Sequence, residues 1–112
     1  MIIYDEEKGS YTFYVYILTN KNKTTFYIGV TNNLAVRLKQ HKESAANKAS
    51  NFVGRYQLQH LIYYEKYTWI QNAIVREKEL KGWRREKKLA LIKKMNKEFD
   101  FLDDKFPEVI DN

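Results

Sequence analysis

Residues 11–30 read YTFYVYILTNKNKTTFYIGV, and this stretch decides the fold. Residues 11–18 are aromatic and β-branched, the side chains that suit a pleated strand. Residues 19–24, TNKNKT, are polar and turn-forming. Residues 25–30, TFYIGV, read as a second strand, so the pair predicts an antiparallel hairpin. Side chains alternate along a strand. Phe13, Val15 and Ile17 therefore share one face, as do Phe26, Ile28 and Val30. A turn centred between Lys21 and Asn22 sets Ile17 against Phe26, Val15 against Ile28 and Phe13 against Val30. The same register puts Tyr16 against Tyr27 on the other face, and Tyr14 against Gly29. Two tyrosines then stand side by side, away from the main core, with a glycine leaving room beside them.

Working outward, Thr31–Asn33 offer a helix N-cap. Leu34, Arg37, Leu38 and His41 follow at i, i+3, i+4 and i+7, one face of a helix. Residues 43–58 are small and polar around Ser44–Ser50, then aromatic at Phe52 and Tyr56, and read as a loop with at most a short helix. Residues 59–66 read as a third strand. A second helix is expected over about 69–82, with Trp69, Ile70, Ala73 and Leu80 in an arc of roughly 100° that also contains Glu77. A third is expected over about 84–95, its apolar side Leu89, Leu91, Ile92 and Met95. Beyond it, Phe99, Phe101, Leu102 and Phe106 are available to pack. The order β-β-α-β-α-α implies an α/β fold: a small three-stranded antiparallel sheet flanked by helices. Its 112 residues suit one domain, 1–112, with a core over about 11–102 and an acidic tail at 103–112.

Charge narrows the function. The net charge is +6, but residues 8–97 hold 19 of the 20 Lys and Arg and only five acids. A body this basic favours a polyanion partner, nucleic acid foremost. Ten of those cations fall in residues 76–97. Arg55, Arg76, Lys78, Lys81, Arg84 and Arg85 are the expected phosphate contacts. The absence of cysteine excludes disulfides, thiolate zinc sites and a cysteine nucleophile, and fits a cytoplasmic location. No apolar run approaches the roughly 18 residues of a membrane span. No obligate protein partner is expected.

Some polar residues sit where a packed domain would not need them. Arg37 and His41 share a face with Leu34 and Leu38; Glu77 lies in an apolar arc; Tyr16 and Tyr27 share the second sheet face. An unpaired buried charge is costly, so Arg37 and Glu77 must be paired, metal-bound or at a cleft. Each has an ordinary structural alternative. Arg37 can cover apolar surface with its stem, His41 can serve a helix end, Glu77 can pair with Arg76, Lys81 or Arg37, and the tyrosines can be cross-strand packing.

Taken in order, these residues resemble a known family. Tyr14-Val15-Tyr16, then Tyr27-Ile28-Gly29 after a polar turn, resembles the paired motif of the GIY-YIG nuclease superfamily. Arg37 and His41 are placed like that family's helix arginine and histidine. Arg76-Glu77-Lys78, followed by Leu80-Lys81-Gly82-Trp83, is similar to its small stand-alone members. The resemblance covers residues 11–102. Tyr14 replaces the first motif's glycine, Lys97 follows Asn96 where a proline is usual, and Phe52–Tyr56 lacks a Thr and a Lys often seen there. The resemblance implies a metal-dependent DNA endonuclease, with DNA repair as its setting. It assigns Glu77 to Mg²⁺ or Mn²⁺, Arg37 to charge on the phosphoryl oxygens, Tyr16 to activating water with Tyr27 assisting, and His41 to relaying the proton. Gly29 and Asn96 would support the site. A free tyrosine has a pKa near 10, so Arg37 and the metal would have to lower it. The alternative is a nucleic-acid-binding module of the same fold with little turnover; salt-sensitive binding without cleavage would identify it. A protein-interaction domain using the aromatic face would instead bind no DNA at moderate salt.

Overall fold

The hairpin forms from β1, Phe13–Thr19, and β2, Phe26–Thr31. The structure is a computed structural model that describes residues 12–47 and 51–106. The acidic N-terminal residues, the end of the Ser44–Ser50 stretch and the end of the acidic tail lie outside those residues. After the hairpin come α1, Leu34–Ala46, and a short α2, Phe52–Tyr56. Then follow β3, His60–Tyr67, α3, Ile70–Lys81, and α4, Arg85–Met95. A single 3₁₀ turn, Asp103–Lys105, lies beyond α4. The expected element order therefore holds, and α2 is the short helix that residues 43–58 allowed for. The sheet is antiparallel in the order β2-β1-β3.

The hairpin register differs from the expected one by two residues. Val15 faces Val30, Ile17 faces Ile28, Tyr16 faces Gly29 and Leu18 faces Tyr27. A shift of two keeps every side chain on its face, where a shift of one would turn a strand over. The turn explains the difference. Thr19 Oγ1 donates to the Thr25 carbonyl at 3.0 Å, and the Asn20 side chain accepts from Thr24 N at 2.8 Å. Lys23 takes a left-handed φ of 59°. These contacts spread the turn over Asn20–Thr25 and move its centre to between Asn22 and Lys23.

Both faces of the sheet are covered, where one main core was expected. Phe13, Val15 and Ile17 pack with Ile28, Ala73, Leu80 and Ile92 under α3 and α4. Tyr16 and Leu18 pack with Leu34, Leu38, Val53, Leu58, Leu61 and Leu102 under α1 and α2. Central β1 is thus buried on both sides. A bulge in the β1–β3 pairing between Ile17 and Leu18 lets Ile62 and Tyr63 join the first core while Leu61 joins the second.

The expected arc of α3 is only partly inside. Ala73 and Leu80 are buried, but Trp69 is 66% exposed. Trp69 is the extended residue before the helix, with φ −111° and ψ 130°, so the helical wheel does not apply to it. Met95 of α4 is likewise exposed, and Ile92 carries that helix's packing.

Candidate active site

The site grows from one cross-strand pair. Tyr16, fully buried, lies opposite Gly29, and its ring lies where a glycine Cβ would project. The ring is directed towards α1. Asn33 starts that helix by accepting from Val36 N at 3.1 Å, as the sequence led us to expect. The helix then presents Leu34, Leu38 and His41 inward, with Arg37 at the boundary. Arg37 Nε donates to Tyr16 Oη at 3.3 Å, and Tyr16 Oη lies 2.9 Å from His41 Nε2. Arg37 can only donate, so the phenol oxygen accepts from it, and the same oxygen shares a second hydrogen bond with the imidazole. Arg37 Nη1 is held by Gln40 at 3.1 Å.

Tyr27 completes the group. Its ring centroid lies 6.2 Å from that of Tyr16, 5.4 Å from His41 and 6.5 Å from Phe52. Tyr27, Arg37 and His41 line an open cleft of about 280 Å³, whose other wall is Ser44, Asn51, Phe52 and Val53. Tyr16 is not among the lining residues. The two tyrosines therefore differ from their expected standing: Tyr27 faces the cleft, and Tyr16 lies behind it, bonded to the two polar residues of α1. The wall supplied by Asn51–Val53 was not anticipated. Its signal was the asparagine before an aromatic patch, since Asn51 caps α2 by accepting from Gly54 N at 2.8 Å.

Electrostatics follow from burial. Desolvation raises the Tyr16 pKa well above 10 and outweighs the opposing hydrogen bond from Arg37, so the hydroxyl stays protonated at neutral pH. Desolvation, then the Arg37 charge, pushes His41 down from 6.5 to about 4. His41 is thus neutral at pH 7. The sign for stability is definite: below pH 6.5 the unfolded chain takes up a proton at His41 that the folded chain refuses. Stability should therefore fall by up to about 3 kcal/mol between pH 6.5 and about 4. Chemical denaturation across that range, compared with His41→Gln, should show the slope in the parent and its loss in the variant.

Glu77 lies elsewhere. Its helix α3 packs on the sheet face opposite Tyr16. The carboxylate is 3.0 Å from Lys81 Nζ, and its side chain is 21% exposed. Arg76 reaches Glu65 of β3, so Glu77, about 100° further round the helix, lies on the flank away from β3. In a sheet ordered β2-β1-β3 that is the β2 side. Among the described residues no three His, Asp or Glu side chains cluster as a metal cage. Mg²⁺ or Mn²⁺ does not require one: such ions bind through one or two carboxylates, several waters and substrate phosphate. The single partly buried carboxylate of Glu77 fits that donor set.

The remaining expected residues divide. Arg55, Lys78, Lys81, Arg84 and Arg85 are exposed. Arg76 is committed to the fold: Nε and Nη2 donate to Glu65, and Nη1 donates to Glu79 at 2.6 Å. Burial works against the Glu65 carboxylate, but bonds from Arg76, Tyr63 and Tyr67 outweigh it and hold its pKa below the usual range. Arg85 secures the hairpin turn by donating to the Thr24 carbonyl at 2.8 Å, and lies over the Phe26 ring. Lys81 is the partner of Glu77. Asn96 is buried and tied into the backbone, donating to the carbonyls of Ile62 and Asp100 and accepting from Asp100 N. It braces the end of α4 against β3 and stands apart from the cleft.

A protein-family model described as the GIY-YIG catalytic domain matches residues 12–90. No curated protein matches this chain. Among solved structures, the chain is similar to a UPF0213 protein from Bacillus halodurans, determined by solution NMR. That similarity has 28% identity, a TM-score of 0.49, and covers 79% of this chain and 89% of the other. Among the described residues no helix is long and apolar enough to cross a membrane.

Proposed function

The chain belongs to the GIY-YIG catalytic-domain family, and on that premise we propose that it is a metal-dependent endonuclease hydrolysing phosphodiester bonds in DNA. The observation that carries this reading is the convergence of Tyr27, Arg37 and His41 on one cleft, with Tyr16 bonded behind them. Family membership indicates a nuclease and a nucleic-acid substrate; DNA and the residue roles below are our assignment.

Arg37 is permanently charged and held at both ends by Tyr16 and Gln40. A fixed guanidinium at the cleft wall suits charge developing on phosphoryl oxygens, because it needs no reorganisation during the reaction. Tyr27 would orient the attacking water, being the tyrosine that faces the cleft. His41, kept neutral at pH 7 by burial and the Arg37 charge, would serve as a hydrogen-bond partner in the site. Tyr16, kept protonated by burial, would act through the two α1 side chains that its oxygen contacts, Arg37 and His41. Tyr16 is thus a positioning residue that fixes Arg37 and His41. Glu77 would hold Mg²⁺ or Mn²⁺, which when bound supplies polarisation of the phosphate and stabilisation of the departing oxygen.

One observation favours the second reading, a binding module with little turnover. The Glu77–Lys81 ion pair already neutralises the carboxylate, so a cation must compete with an ammonium for it. The test is a cleavage screen over single-stranded and structured DNA and RNA with Mg²⁺, Mn²⁺ or chelator. Cutting of DNA that needs the ion and falls about 10²–10³-fold in Arg37→Ala is the expected result. Salt-sensitive binding without cutting on any substrate would leave the binding module.

A further inference from the structure

The two exposed aromatic rings of α2 adjoin the cleft, and nothing in the hydrolytic chemistry uses them. Phe52 is 47% exposed and Tyr56 44%. They sit at i and i+4 of the helix, with ring centroids 4.8 Å apart and planes inclined at 53°. Residues of this size and apolarity normally turn inward; here Val53 does so and the rings face solvent. Phe52 also lines the cleft, as Arg37 does. The ring series Tyr16, Tyr27, Phe52, Tyr56 thus runs continuously from the buried hydroxyl to the surface. Arg55, exposed on the same helix, adds a positive charge beside the rings.

These features combine a cation for phosphate with aromatic faces for what a phosphate is attached to. A paired base hides its face in the duplex stack, whereas an unpaired base offers it. The open cleft of about 280 Å³ has room for a nucleotide beside Phe52. We infer that Phe52 and Tyr56 form a base-stacking platform that takes an unpaired nucleobase of a single-stranded nucleic acid, next to the phosphate held at Arg37. This deepens the nuclease reading, on which the Arg37 contact rests, by naming the substrate class: single strands, frayed ends or extruded nucleotides. Stacking is tolerant of base identity, so the platform selects for strandedness rather than sequence.

The test is a binding experiment without divalent metal, so that it stays separate from cleavage. The probes are a short fluorescein-labelled oligothymidylate, its oligouridylate counterpart, the same DNA strand with abasic sites, and a duplex of equal length. Phe52→Ala/Tyr56→Ala should bind both base-carrying strands about 5- to 100-fold more weakly than the parent. Binding of the abasic strand and the duplex should be unchanged, and Phe52→Tyr/Tyr56→Phe should restore single-strand affinity. A strand carrying 2-aminopurine should lose fluorescence on binding the parent and keep it with the double alanine variant. Equal affinity of parent and double variant for oligothymidylate overturns the platform, as does an equal loss on the abasic strand. A parent that binds in this way but never cuts leaves the platform standing and removes the nuclease reading. A parent that cuts while the double variant binds unchanged does the reverse.

Discussion

Glu77→Ala should lower metal-dependent cleavage by about 10³-fold or more while the protein stays folded. The magnitude follows from what a divalent cation contributes to phosphoryl transfer: several kcal/mol of charge stabilisation, at about 1.4 kcal/mol per factor of ten. Stability should change little. The carboxylate's ion-pair partner Lys81 is 54% exposed, and an i,i+4 pair on such a surface is worth only about 0.3–0.5 kcal/mol. The variant should also bind DNA in chelator at least as well as the parent, because removing a carboxylate makes the basic surface more positive. Cleavage rates with Mg²⁺, a thermal melt and a binding titration together separate loss of chemistry from loss of fold. If the variant cuts at the parental rate with the same ion requirement, Glu77 holds no metal. The i,i+4 bridge to Lys81 is then its whole role.

How much of this was legible in the sequence depends on how local each feature is. The hairpin faces were readable because alternation puts Val15, Ile17 and Ile28 on one side, and these are buried together; that Tyr16 and Leu18 are buried on the other side was not. The register was not, because it depends on how the Asn20 and Thr19 side chains close the turn. Helical spacing identified Leu34, Leu38 and His41 as one inward face. It could not tell that α2 would cover the same side of the sheet and place Tyr16 behind Tyr27. Basic residues were the least legible. Arg76 and Arg85 look like phosphate contacts by charge, yet one folds onto a carboxylate eleven residues upstream and the other onto a carbonyl sixty-one residues away. Charge gives the sign of the surface; the partner of each cation is a tertiary fact. Lys78 and Arg84, exposed, keep the reading their sequence suggests.

Gly29→Ala should be strongly damaging although it adds a single methyl group. A Cβ there would lie 2.5 Å from Tyr16 Oη, 2.6 Å from Cζ and 3.0 Å from Cε1. Gly29 sits within strand β2, so the demand is for space beside the ring rather than for a glycine dihedral. Tyr16 cannot move aside cheaply. It is fully buried, packed with Leu18, Leu34 and Leu38, and tied by its hydroxyl to Arg37 and His41. Overpacking costs about 1–3 kcal/mol. Pulling the hydroxyl from its partners adds about 1–3 kcal/mol for buried polar groups left unmet. The melting temperature should fall on the order of 10 °C, and cleavage should fall with it even where the variant is still folded, since Arg37 and His41 lose their common anchor. Tyr16→Phe separates the two causes, because it removes the hydroxyl without crowding the strand. It should cost less stability than Gly29→Ala, and adding it to Gly29→Ala should not restore the fold, since the contact to Cζ remains. A Gly29→Ala protein that melts and cuts like the parent would mean the ring has room to shift, and with it that Tyr16 does not fix the geometry of Arg37 and His41.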